Sequence, residues 1–210
     1  MKPTKLYESL FILHKCNLNI ERLSNLLQSF EGNLENNSDY ALLFTYYINL
    51  EALSFLEEFR DSFSKVEQQY SDRVREVRKI TSPVLKRIHK WKDLEKFRNN
   101  IVAHPWRHKG QFVVPNQGFY NIPRNWFEVV VLVNLMNYLW TLIKAEFEKE
   151  YADSLKYVAT LETKPKPPND YSHLNSDHLA MADEVEMLCK SFNKNYYLKV
   201  FQYILPDDKN

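Results

Sequence analysis

Only three glycines occur in 210 residues, at Gly32, Gly110 and Gly118. Sandwiches and barrels turn tightly many times, and tight turns draw on glycine for positive φ. Three glycines cannot serve that many turns, so the chain is expected to be built from long helices. Its 13 Tyr, 13 Phe and four Trp give it the means to bury a core, which disordered chains lack. The glycines also stand apart from one another, so no phosphate-cradling glycine loop of a P-loop or dinucleotide enzyme is present.

Apolar spacing locates the helices. Leu6, Leu10, Leu13, Ile20, Leu23 and Leu27 share one face of a first helix, closed by Gly32-Asn33. Ser38-Asp39 can cap a second, beginning near Tyr40 and apolar on several faces, which suits a central helix or one that also meets a partner. Val74, Val77, Ile80, Val84, Ile88, Trp91, Leu94, Phe97 and Ile101 form the most regular stripe, at steps of three and four. Thr81-Ser82-Pro83 is expected to split that region, with Pro83 as a first helical residue. Pro105 then stops it, because the residue before proline leaves the helical region.

Residues 105–123 read as a loop, in which 111–114 and 118–120 could pair as a short hairpin. Pro123 is expected to open a long helix from about Arg124 to Thr160. Its apolar run, Phe127 to Ile143, carries Glu128, Asn134 and Asn137 and reads as a buried helix rather than a span. The expected architecture is all-α: an up-and-down four-helix bundle over 1–162, a Pro/Lys-rich linker at 163–175, and an additional C-terminal helix over 176–210 that packs on the bundle or on a partner chain. The N-terminus shows no apolar signal core, so a cytoplasmic protein with no membrane partner is expected. Cys16 and Cys189 form no CxxC pair and read as buried thiols of a reducing compartment.

Charge is segregated. Residues 73–109 hold 12 Lys and Arg against Glu76, Asp93 and Glu95, whereas the chain as a whole carries only +1. Such a stripe attracts phosphates; its cations can equally pair with acidic neighbours inside the fold. Arg87, Lys90, Arg107, His108 and Lys109 are its candidate RNA contacts. At its end stand Arg98, Asn99, Asn100 and His104. A guanidinium can stabilise charge on a phosphorane-like transition state, a histidine can exchange a proton with the 2′-hydroxyl or the leaving oxygen, and an asparagine can orient either. RNA carries its own nucleophile, so neither a metal nor a cofactor is required.

The stretch Phe97-Arg98-Asn99-Asn100-Ile101-Val102-Ala103-His104-Pro105 resembles the Arg-x4–6-His motif of the HEPN superfamily, with five intervening residues. Leu43-Phe44-Thr45-Tyr46-Tyr47 with Leu53-Ser54-Phe55-Leu56-Glu57-Glu58-Phe59 is similar to the second helix of HEPN-like abortive-infection proteins of bacteria. The resemblance implies a helical bundle that dimerises with its motifs face to face. It implies a metal-independent endoribonuclease of phage defence or a toxin–antitoxin system, with a possible antitoxin partner. Arg98 and His104 would be catalytic and Asn99 or Asn100 supporting. Other members only bind RNA or proteins, and a non-catalytic module is the alternative. His104 directly before Pro105 departs from the pattern. Two further groups read as ordinary polar surface: Glu57, Glu58 and Asp61 on the second helix, and His173, Asp177, His178 and Asp183 beyond the linker.

Overall fold

The computed structural model describes residues 4–29, 38–99, 107–108, 111–112 and 120–161, with Ala180, Asp183, Met187 and Ser191. The chain is all-α. It divides into two compact units, Met1–Leu161 and Glu162–Asn210. In the second unit the four described residues are helical and exposed. The rest of the expected C-terminal helix, the linker, Cys189, His173, Asp177 and His178 lie outside the described residues.

Helix α1 (Lys5–Ser29) buries Leu6, Leu10, Leu13, Ile20 and Leu27, the face its spacing predicts. Its N-terminus is closed from a distance. Glu67 Oε1 accepts from the Lys5 N–H at 2.7 Å and Oε2 from that of Leu6 at 3.4 Å. A carboxylate there satisfies two orphan donors and complements the helix dipole. Helix α2 (Ser38–Asp61) begins two residues before Tyr40 and packs on α1. It buries Ile48, Ala52, Phe55 and Phe59 while leaving Leu43 and Tyr47 exposed. Asn49, buried, donates its amide N–H groups to the carbonyls of Thr45 and Pro123, tying α2 to the entry of the later helices.

Two single-turn 3-10 segments, Phe63–Lys65 and Gln68–Tyr70, lead into α3 (Ser71–Ile88). The expected split at Thr81-Ser82-Pro83 does not occur: Pro83 lies inside a continuous helix. Thr81 is fully buried and its hydroxyl donates to the Val77 carbonyl at 2.8 Å, while Val74, Val77 and Ile88 are buried on the same helix. Tertiary burial on both sides of the proline outweighs its local cost. The register also differs from the expected stripe, since Ile80 is 58% exposed and Thr81 takes the inward place.

The break comes later. After Ile88 the chain tightens, with Lys90 N–H bonding Arg87 O and Trp91 N–H bonding Ile88 O, and α4 spans only Leu94–Phe97. Asp93 holds this turn through a two-way clip: its N–H donates to Asn121 O at 3.2 Å and its carboxylate accepts from Asn121 N–H at 2.9 Å. The run of three-residue steps from Ile88 to Phe97 matches these tighter turns better than a continuous α-helix.

Gln111–Phe112 pairs antiparallel with Arg107–His108, upstream of the expected hairpin partner; residues 113–119 lie outside the described residues. Helix α5 (Trp126–Glu146) starts after Asn125, whose side chain accepts from Glu128 N–H at 2.9 Å, while Glu128 accepts from Arg124 N–H. These two bonds, rather than Pro123, set the start. The expected single helix to Thr160 is broken at Phe147, and α6 spans Glu148–Thr160. Phe147 is fully buried, packs edge-on to Phe63, and lies 4.4 Å beneath the Arg73 guanidinium. Arg73 also donates to the Glu146 carbonyl, to Glu146 Oε1 at 2.8 Å and to Glu150 Oε1 at 2.6 Å. An arginine from α3 therefore caps α5 and anchors α6.

By length and composition α5 is apolar enough to cross a membrane, as are core helices of soluble proteins. It buries Val129, Leu132, Val133, Met136, Leu139, Trp140 and Ile143, and it packs against α1, α2 and α3.

Candidate functional site

The site begins with Phe97. It is 1% exposed and lies edge-on between Tyr46 at 5.0 Å and Tyr120 at 5.6 Å. Burial pushes the Tyr46 phenol above its ordinary pKa. This aromatic sandwich fixes the end of α4. At Arg98 and Asn99 the backbone then widens into a π-helical turn, a local distortion common at functional sites. Arg98 is thus not on the ideal α-helix that the stripe predicts.

The Arg98 side chain reaches across to α2. Nη1 donates to Glu57 Oε2 at 2.7 Å, and Nε donates to Asn99 Oδ1 at 3.1 Å. The Arg98 side chain is 32% exposed and that of Glu57 27%, so the pair is partly buried and still reached by solvent. Of the expected site residues, Arg98 and Asn99 are brought together. Asn100 and His104 lie outside the described residues.

Among the expected RNA contacts, Arg87 and Lys90 are exposed, and Arg87 donates to the Pro83 carbonyl at 2.8 Å within its own helix. Arg107 and His108 form one strand of the two-residue ladder; Lys109 lies outside the described residues. Part of the basic stripe is paired with acids of the fold. Arg73 is bound by Glu146 and Glu150, and Arg75 pairs with Asp72 at 3.0 Å. Lys79, Lys86, Arg87, Lys90 and Lys92 remain exposed.

The three acidic residues near the end of α2 do not form one cluster. Glu57 takes Arg98, Glu58 accepts from Ser9, and Asp61 pairs with Arg60. Glu57 is the site residue that sequence reasoning missed, because nothing on its own helix distinguishes it from its neighbours. Beside it opens a cleft of about 380 Å³ between α2, α3 and the turn at residues 89–93. Leu53, Leu56, Phe59, Leu85 and Leu94 line its floor; Glu57, Arg60, Arg78, His89, Lys92, Glu95 and the half-buried Trp91 complete it. The Arg78 guanidinium lies 5.7 Å over the Phe59 ring.

Among the described residues, no group of three or more His, Cys, Asp or Glu side chains is placed to hold a metal ion. Comparison with protein-family models, curated proteins and solved structures finds no match for this chain.

Proposed function

We propose that this chain is a metal-independent endoribonuclease of the HEPN kind, a cytoplasmic homodimer of bacterial phage defence or a toxin–antitoxin pair. The observation that carries the reading is the presentation of Arg98. Its guanidinium is half-exposed on a π-helical turn, oriented by Glu57 and Asn99, and it ends the only strongly basic segment of the chain. In this reading the RNA 2′-oxygen attacks the neighbouring phosphorus. The 2′-O–P bond forms, the bond to the 5′-oxygen breaks, and a cyclic phosphate and a 5′-hydroxyl result. His104 takes the 2′-hydroxyl proton or supplies one to the leaving oxygen, and Arg98 stabilises the charge that builds on the phosphoryl oxygens. Glu57 and Asn99 hold the guanidinium in its orientation.

A second reading has one observation in its favour. The Glu57 carboxylate already matches the Arg98 charge, as in a purely structural ion pair, which suits a non-catalytic module that binds RNA or protein.

The test is cleavage of single-stranded RNA by the purified chain in EDTA, compared with the same sequence in DNA. The wild type cuts RNA and spares DNA. Arg98→Ala and His104→Ala each lose at least about a hundredfold in rate, with unchanged circular dichroism. If a broad RNA panel survives intact, the non-catalytic reading replaces this one.

A further inference from the structure

The ribonuclease reading needs Arg98 and His104, but it makes no use of the cleft that Glu57 lines. That cleft has two features that belong together in few kinds of site. Its floor is apolar and carries one half-buried indole, Trp91. Its rim is charged: Arg78 from α3 and Lys92 from the turn that follows face it, as do Arg60, Glu57 and Glu95.

The acids on the rim cancel most but not all of the positive charge. Glu57 is matched by Arg98 at 2.7 Å. Glu95 and Arg60 lie close enough for the carboxylate to raise the arginine's pKa, after the larger effect of Asp61. Arg60, Arg78, Lys92 and Arg98 against Glu57, Asp61 and Glu95 leave one net positive charge around the cleft, with Arg78 and Lys92 lining it to meet an anion. The volume, about 380 Å³, lies at the lower end of small-molecule sites, which run from about 300 to 1,000 Å³. It suits one nucleotide and not a duplex.

We infer that this cleft is a single-nucleotide subsite for RNA. The base of a nucleotide flanking the cleaved bond lies on Trp91 over the leucine floor, and its phosphate meets Arg78 and Lys92. Stacking on an indole tolerates any base, and the phosphate contact is likewise independent of sequence, so the subsite positions single-stranded RNA without selecting it. Glu57 links the two places: one carboxylate lines the cleft and holds Arg98. This inference rests on the RNA reading above and deepens it.

The experiment separates binding from cleavage. The full chain is titrated with an RNA octamer whose 2′-oxygens are methylated and cannot attack phosphorus, and separately with adenosine 5′-monophosphate. Binding of the octamer is read by anisotropy and binding of the mononucleotide by tryptophan fluorescence. The chain has four Trp, so Trp91→Phe identifies the responding ring: the mononucleotide quenches the wild type and not this variant. Trp91→Leu and Arg78→Gln each weaken octamer binding about tenfold, while Lys79→Gln, an exposed cation of α3 that does not line the cleft, weakens it far less. Thermal melts confirm that each variant is folded. If Trp91→Leu is unfolded, the Arg78→Gln against Lys79→Gln comparison and the Trp91→Phe quench decide.

Equal losses for Arg78→Gln and Lys79→Gln, or no quench by millimolar mononucleotide, overturn the subsite. RNA cleavage in EDTA would then keep the ribonuclease reading. Quenching through Trp91 with no RNA cut keeps the subsite and removes the ribonuclease.

Discussion

Arg73 separates the two uses of the basic segment, and Arg73→Gln measures one of them. The side chain makes four contacts that glutamine cannot reproduce. Its bond to Glu146 Oε1 lies between groups 37% and 36% exposed, so it belongs with solvent-screened pairs worth about 0.5 kcal/mol. Its bond to Glu150 is better protected, because that carboxylate is only 13% exposed; a charged hydrogen bond of this kind is worth about 1.5 kcal/mol. Contact with the Phe147 ring adds about 0.5 kcal/mol. The lost cap on the Glu146 carbonyl brings the expected destabilisation to about 3 kcal/mol. For a chain of this size that is roughly 6–12 °C in Tm, read by circular dichroism at neutral pH.

The pH dependence follows from Glu150. Burial alone would raise its carboxyl, but the bond from Arg73, a backbone hydrogen bond and the charges of Arg73 and Lys149 together outweigh burial and hold the pKa below the ordinary value of 4.5. A depressed folded-state pKa contributes stability above the unfolded pKa and loses it as pH falls through the folded one. The Tm gap between wild type and Arg73→Gln should therefore narrow below about pH 4.5. RNA affinity should be unchanged, since this arginine is consumed inside the fold. A Tm shift under about 1 °C, or a large loss of RNA binding at constant Tm, would refute the reasoning.

Two further outcomes are expected. Pro83→Ala restores an N–H within the continuous α3 and should stabilise the protein by about 1–2 kcal/mol in urea denaturation; a destabilised variant would mean that the surroundings require the proline ring. In Glu67→Gln the cap on Lys5 and Leu6 weakens, at a cost of about 1 kcal/mol. Burial opposes the charge of Glu67 but the backbone N–H groups outweigh it and lower the pKa, so the cost should be present above pH 4.5 and fade as pH falls below it. A melt difference independent of pH would count against this account.

The all-α class and the positions of α1, α2 and α5 were legible in glycine scarcity and in apolar spacing, because those signals are local. Leu6, Leu10 and Leu13 face inward as their three-to-four steps require. The breaks were not legible. Asp93 is held by Asn121, 28 residues away, and Phe147 by Arg73 and Phe63, more than 70 residues away. Pro83 misled in the opposite direction, since its local cost is real but the burial of Thr81 and Ile88 around it is larger. In the site, Arg98 was visible as part of a motif, whereas Glu57 was one of three similar acids until α2 and α4 met.

The sequence by itself determined that this chain forms helices, which faces of them are apolar, and that its positive charge is gathered in one segment. Only the tertiary structure decided which of those cations are spent on the fold and which line a cleft. Periodicity and charge density are properties of neighbours along the chain, whereas an ion pair such as Glu57–Arg98 exists only once two distant helices bring its partners within hydrogen-bond reach.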